Sequence, residues 1–129
     1  MIGRLYYDLN DKEKDYACRP LTGINIEHTN RMDRMPIVMI DRGSCTFVSK
    51  ARNVQKIGGG LALIINNEEG QSVDSVIMTD DGSGSDIVIP TVMISKEDGY
   101  KIKEFLMANK EDTQLLENII VSVEFKIVN

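Results

Sequence analysis

A run of five apolar residues, Leu61-Ala62-Leu63-Ile64-Ile65, is bounded by Gly58-Gly59-Gly60 on one side and Asn66-Asn67-Glu68-Glu69-Gly70 on the other. Continuous apolar character between two turn-forming clusters predicts a buried strand followed by a surface loop. Upstream, Ile37-Val38-Met39-Ile40 follows Pro36 and ends at Asp41-Arg42-Gly43-Ser44, which predicts a second buried strand rich in β-branched residues. Between the two, Phe47, Ala51, Val54 and Ile57 recur at helical spacing, with Lys50, Arg52, Asn53, Gln55 and Lys56 assigned to the opposite face. That spacing predicts an amphipathic helix over 46–57. Lys56 in its last turn suits the helix dipole, and the glycines just beyond supply a residue able to take a positive φ. The result is a β-α-β unit.

Further on, Val76-Ile77-Met78 predicts a short strand, and Thr79 to Asp86 a polar loop with no apolar anchor. Ile87 to Ile94 has strand composition but contains Pro90, which cannot donate to a ladder, so a bend or edge position is expected there. Ser95, followed by Glu97 and Asp98, reads as the N-cap of a second helix with acidic residues in its first turn. This helix carries Ile102, Phe105 and Leu106 on one face and fades through Ala108-Asn109-Lys110. From Ile120 to Val128, Val121, Val123, Phe125 and Ile127 alternate with Ser122, Glu124 and Lys126, the period of a half-buried strand.

At 129 residues, with 42% hydrophobic and 27% charged positions, the chain has the size and composition of one folded domain spanning 1–129. A net charge of -5 argues against a nucleic-acid partner, which would select clustered Lys and Arg. The apolar runs are far shorter than the roughly 20 residues needed to cross a bilayer, so no direct membrane insertion by this segment is expected. Met1 to Tyr7 has no apolar h-region, which leaves a cytosolic protein or a piece of a longer one. Neither Cys18 nor Cys45 lies in a CxxC or Cys/His cluster, which argues against structural zinc. Composition leaves two readings open: free buried thiols, or one disulfide whose loop of about 27 residues would stabilise by roughly 3 kcal/mol.

Candidate chemistry is sparse. The one histidine, His28, stands in a polar stretch with no nucleophile elbow and no identifiable orienting acid, so a Cys45/His28 dyad is disfavoured against an exposed loop histidine. Gly58-Gly59-Gly60 follows a helix, whereas a phosphate cradle needs glycines between a strand and a helix N-terminus. Asp80 to Asp86 offers oxygens to Ca²⁺ but lacks EF-hand spacing and a closing bidentate Glu, so it reads as a solvated loop. No cofactor is expected. Asp41-Arg42-Gly43-Ser44-Cys45-Thr46 invites a functional reading, because it leaves a buried strand and enters a helix whose free N–H groups favour carbonyl or anionic ligands. Arg42 would add a fork of donors for a peptide backbone or carboxylate. The alternative is that Arg42 pairs internally, with Asp41 or Glu69, and organises the turn.

The same residues carry a resemblance. Arg42-Gly43-Ser44-Cys45-Thr46-Phe47, then Lys50, Asn53, Gln55 and Gly58, resembles the RGxCxF signature of the protease-associated (PA) domain. Ile64-Ile65-Asn66-Asn67 resembles that family's asparagine-terminated strand, Ile89-Pro90-Thr91-Val92-Met93-Ile94-Ser95 with Gly99 its I-P-x-x-x-I-S segment, and Ala17-Cys18-Arg19-Pro20 its A-C-x-P. Coverage runs from about Gly3 to Phe125, and the look is nearest to PA domains of vacuolar sorting receptors and membrane-anchored RING ubiquitin ligases. The resemblance implies an α+β fold of packed β-sheets with two flanking helices, of the swivelling β/β/α kind. It also implies a Cys18–Cys45 bridge and hence an oxidising, lumenal or extracellular compartment. A fragment of a longer membrane-anchored protein is expected. The implied activity is non-catalytic binding of a peptide or protein, as in cargo recognition by a sorting receptor, through Arg42, Gly43, Ser44 and Thr46 with Asn67, Glu68, Glu69 and Met78. An accessory substrate-gating domain of a peptidase or RING ubiquitin ligase is the alternative. Ser44 stands where the receptors often carry an acid, so cargo specificity does not carry over.

Overall fold

In the computed structural model, residues 2–8, 16–22, 24, 26, 35–68, 75–77, 86–112, 114 and 120–122 are described. Their elements run β1 (Ile2–Tyr6), β2 (Met35–Asp41), α1 (Phe47–Lys56), β3 (Leu61–Ile65), β4 (Ser75–Ile77), β5 (Thr91–Ile94), α2 (Lys96–Ala108) and β6 (Ile120–Ser122). The described strands form one six-stranded sheet of order β4-β5-β3-β2-β1-β6. β1, β2, β3 and β5 are parallel neighbours, and the two edges, β4 and β6, pair antiparallel. With α1 and α2 flanking the sheet among the described residues, the α+β class expected from the sequence is the class of the fold.

Why β3 lies at the centre follows from its composition. All five of its residues are buried, as a strand covered on both faces requires. Alternation divides them: Leu61, Leu63 and Ile65 join Leu5, Ile37, Met39, Val92 and Leu106 in one core cluster, packed by Ile102 of α2. Ala62 and Ile64 join Val38, Ile40 and Val54 of α1 in the other, along with Ala17, Leu21 and Ile26 from the β1–β2 crossover. The helices thus cover opposite faces, and the crossover shares the α1 face.

Both helix starts are capped, the second at Ser95 as expected from the sequence. Thr46 accepts from the Ser49 N–H and Ser95 from the Asp98 N–H. α1 closes with Gly58 N–H on the Gln55 carbonyl and Gly59 N–H on the Val54 carbonyl, both at 3.0 Å, with Gly58 at φ +93°. That is a Schellman arrangement, and Gly58 takes the positive φ expected of the triple glycine. Two local expectations need correction, and one strand has no counterpart among them. Ile2–Tyr6 is a strand that the sequence pattern did not announce. β5 begins only at Thr91, because Pro90 cannot donate and Asp86 to Val88 are drawn onto Gln55, whose side chain bonds the Asp86 carbonyl and the Val88 N–H, each at 2.8 Å. Phe105, assigned to the apolar face of α2, is half exposed. Met78, His28, Glu69, Asp80 to Ser85 and Val123 to Val128 lie outside the described residues.

Candidate functional site

β2 and β3 are parallel with Asp41 opposite Ile65, so the segments leaving them, 42–46 and 66–68, emerge side by side at the carboxyl end of the sheet. The Arg42 N–H donates to the Ile65 carbonyl at 3.0 Å and carries the pairing one residue further. The chain then turns sharply. Gly43 has φ +131° and Ser44 φ +68°, and the Cys45 N–H returns to the Gly43 carbonyl at 2.8 Å, a tight three-residue turn of the strained kind. At Gly43 any side chain would be strained by that φ, and a Cβ would also stand 3.2 Å from the Tyr16 ring. Ser44 and Thr46 are left exposed at the tip.

Four cross-links hold the turn. The first is a Cys18–Cys45 disulfide, which closes the bridge implied by the resemblance and leaves Cys45 no thiol for a dyad with His28. The second is Arg42, whose Nη1 donates to Asn66 Oδ1 at 3.0 Å while its guanidinium lies 5.6 Å from the centre of the Phe47 ring. Arg42 therefore does organise the turn internally, but through Asn66 and not through Asp41, whose carboxylate bonds Lys103 of α2 at 2.6 Å. Buried Asn66 also accepts from the Glu68 N–H at 3.3 Å, so one amide fixes both segments at once.

The third and fourth cross-links are side chains that the sequence reading assigned to the solvent face of α1. Lys50 is wholly buried, and its ammonium donates to the carbonyls of Tyr16, Asp41 (2.9 Å) and Gly43 (2.7 Å). Asn53 is buried beside it and donates to the Ala17 carbonyl at 2.8 Å. Burial pushes Lys50 down to about 8, partly opposed by the Asp41 charge, so it stays a cation at neutral pH. A signal for this was available: at about 100° per residue, Lys50 falls between Val54 and Ile57, inside the apolar stripe. Position around the helix, and not the charge of the side chain, decides where Lys50 lies.

Of the expected ligand-binding residues, Arg42, Gly43, Ser44, Thr46, Asn67 and Glu68 are gathered here; Asn67 and Glu68 are exposed, and Asn67 Nδ2 comes within 4.0 Å of where a Gly43 Cβ would stand. Glu69 and Met78 cannot be set beside them, being outside the described residues. Among the described residues no cluster of His, Cys, Asp or Glu is arranged to hold a metal, and no helix is long and apolar enough to cross a membrane.

Residues 3–102 match the family described as the PA domain. The chain belongs to the PA-domain family. This PA domain is 31% identical over 108 residues to Vacuolar-sorting receptor 2 of Arabidopsis thaliana, a match covering 80% of the chain and 17% of the receptor. It is 35% identical to a Receptor homology region, transmembrane domain- and RING domain-containing protein of Oryza sativa, over 69% of the chain and 15% of that protein. Aminopeptidase YwaD of Bacillus subtilis is 40% identical over 60% of the chain and 15% of its own length. The chain thus spans 15 to 17% of these three relatives. A PA domain is an accessory, non-catalytic module, and its hosts here include a receptor and a peptidase.

Proposed function

We propose that this PA domain is a non-catalytic module that binds a peptide or protein at the Arg42 turn, on the lumenal or extracellular side of a longer membrane-anchored protein. Cargo recognition in a sorting receptor-like host is the reading preferred. The observation that carries it is the convergence of exposed Ser44, Thr46, Asn67 and Glu68 on a frame fixed by the disulfide, Lys50 and the Arg42–Asn66 bond. A surface ordered before binding loses less freedom on association than a loose one. Glu69 and Met78 belong to the proposed site only as what the family resemblance implies. The similarity to a vacuolar-sorting receptor and the disulfide, which persists in oxidising compartments, support the cargo and compartment readings.

The second reading, an accessory domain that positions substrates for a peptidase or RING ubiquitin ligase, is favoured by relatives of both kinds at comparable identity. A displayed random-peptide library panned on the folded domain tests binding itself. Enrichment of one sequence family, weakened at least tenfold by Arg42→Ala in a variant with an unchanged strand amide spectrum, is expected. No enrichment, or enrichment indifferent to Arg42, would overturn the proposal.

A further inference from the structure

Lys50 is the only charged side chain among the described residues that is buried, and it lies where three segments meet. One carbonyl comes from Tyr16, beside the Cys18 loop, one from Asp41 at the end of β2, and one from Gly43 inside the turn. An ammonium has three donors and no acceptor, so three carbonyls use it completely. The disulfide joins the same two loops but limits only their separation; the ammonium fixes which way their carbonyls point. The Gly43 carbonyl is the pivot, since it also receives the Cys45 N–H that defines the turn.

We infer that Lys50 is the positioning residue of the peptide site: its ammonium sets the orientation of the Gly43–Ser44 backbone, and with it the surface that Arg42, Ser44 and Thr46 present. This rests on the binding role proposed above for that turn. A neutral amine has two hydrogens for the same three carbonyls, so losing the proton must release one of them. The groups facing the ammonium are the Tyr16 ring at 5.4 Å, the Asp41 carboxylate with its Lys103 partner, and Arg42 one residue further along.

The test follows the ¹³C carbonyl shifts of Tyr16, Asp41 and Gly43 in the labelled domain from pH 6.5 to 9.5, alongside those of Leu63 and Val92. A shared step in the three loop carbonyls, with its midpoint near the value of about 8 that burial gives Lys50, is expected. The strand carbonyls should stay flat, and Lys50→Met should abolish the step. Flat loop carbonyls, or the same step in Lys50→Met, would overturn the inference. The wild-type titration needs no variant, so misfolding of Lys50→Met does not shield the claim, and Lys50→Gln provides a second substitution. In the binding arm, peptides selected on the wild-type domain should bind the Lys50 variants at least tenfold more weakly while strand shifts are retained; equal binding would refute the positioning role. If the wild-type domain selects no peptide, the binding proposal fails, and the carbonyl titration still decides whether Lys50 orients the turn.

Discussion

The two helices cover opposite faces of the same sheet by different chemistry. α2 docks by shape: Ile102 and Leu106 pack on the β3 face, and Gly99 lies so close that a Cβ would stand 2.3 Å from Ile65 Cγ2. Its outward side carries the exposed Tyr100 beside a groove of about 500 Å³, and Met107 is also exposed. α1 docks partly by polar reach: Lys50 and Asn53 pass under the helix to backbone carbonyls of the loops at the carboxyl end of the sheet. An apolar contact holds two elements together but is indifferent to where a nearby carbonyl points. A buried donor is not, because an unmatched buried polar group costs about 1–3 kcal/mol. The α1 face is therefore where loop geometry is specified, and the α2 face where the sheet is kept shut.

That contrast can be broken in stages. Replacing both cysteines with serine should destabilise the domain by about 3 kcal/mol in denaturant unfolding, because a 27-residue separation is no longer closed in the unfolded chain. The loss should fall on the loop side, with exchange at 16–18 and 43–46 rising before that of β3. On the other face, Gly99→Ala should cost about 1–3 kcal/mol from overpacking against Ile65, more than the roughly 1 kcal/mol of helix propensity that alanine brings. It should leave the Arg42 turn unperturbed by amide shifts, and a changed turn would mean the two faces are not independent.

An effect of comparable size is expected with pH. The folded domain holds Lys50 at about 8 against an ordinary 10.5, so between those values the unfolded chain keeps a proton that the folded one has released. Raising the pH through that window favours the folded state, and below it the lysine contributes no pH dependence. Stability measured against Lys50→Met should therefore rise from pH 8 towards 10 and be flat from 6 to 7. Ser44→Gly should stabilise by up to about 1 kcal/mol, since glycine relieves the left-handed φ of +68° but gains freedom when unfolded. Least of all, Arg52→Ala should release the Asp86 carboxyl upward, because the Arg52 guanidinium beside it at 3.2 Å holds it below the usual carboxylate range. Carboxyl titration by NMR reads this, with little change in unfolding.

What was legible in the sequence was what rests on pattern and local chemistry. β3 shows itself from Leu61 to Ile65 because both of its faces are buried and both of its flanks are turn formers. Ser95 and the triple glycine mark helix ends because capping is local. β1 was hidden because Gly3 fills an inward position where a Cβ would meet Ile37 at 2.5 Å, which erases the alternation. At the site, the Arg42 turn and the asparagine-terminated strand were recognised through their family motif. Their junction through Asn66 depends on parallel neighbours that only the sheet order supplies. Lys50 and Asn53 were misassigned because a lysine or asparagine on a helix is usually solvated, and the carbonyls that justify burying these two lie up to 36 residues away.

The most direct test is to titrate the ¹⁵N-labelled domain with a peptide enriched on it and to map the amide shifts. The account predicts perturbations centred on Arg42, Gly43, Ser44, Asn67 and Glu68, with α2 silent. Perturbations centred on Tyr100 and Phe105 instead would put recognition on the opposite face and contradict the assignment of the binding surface to the Arg42 turn.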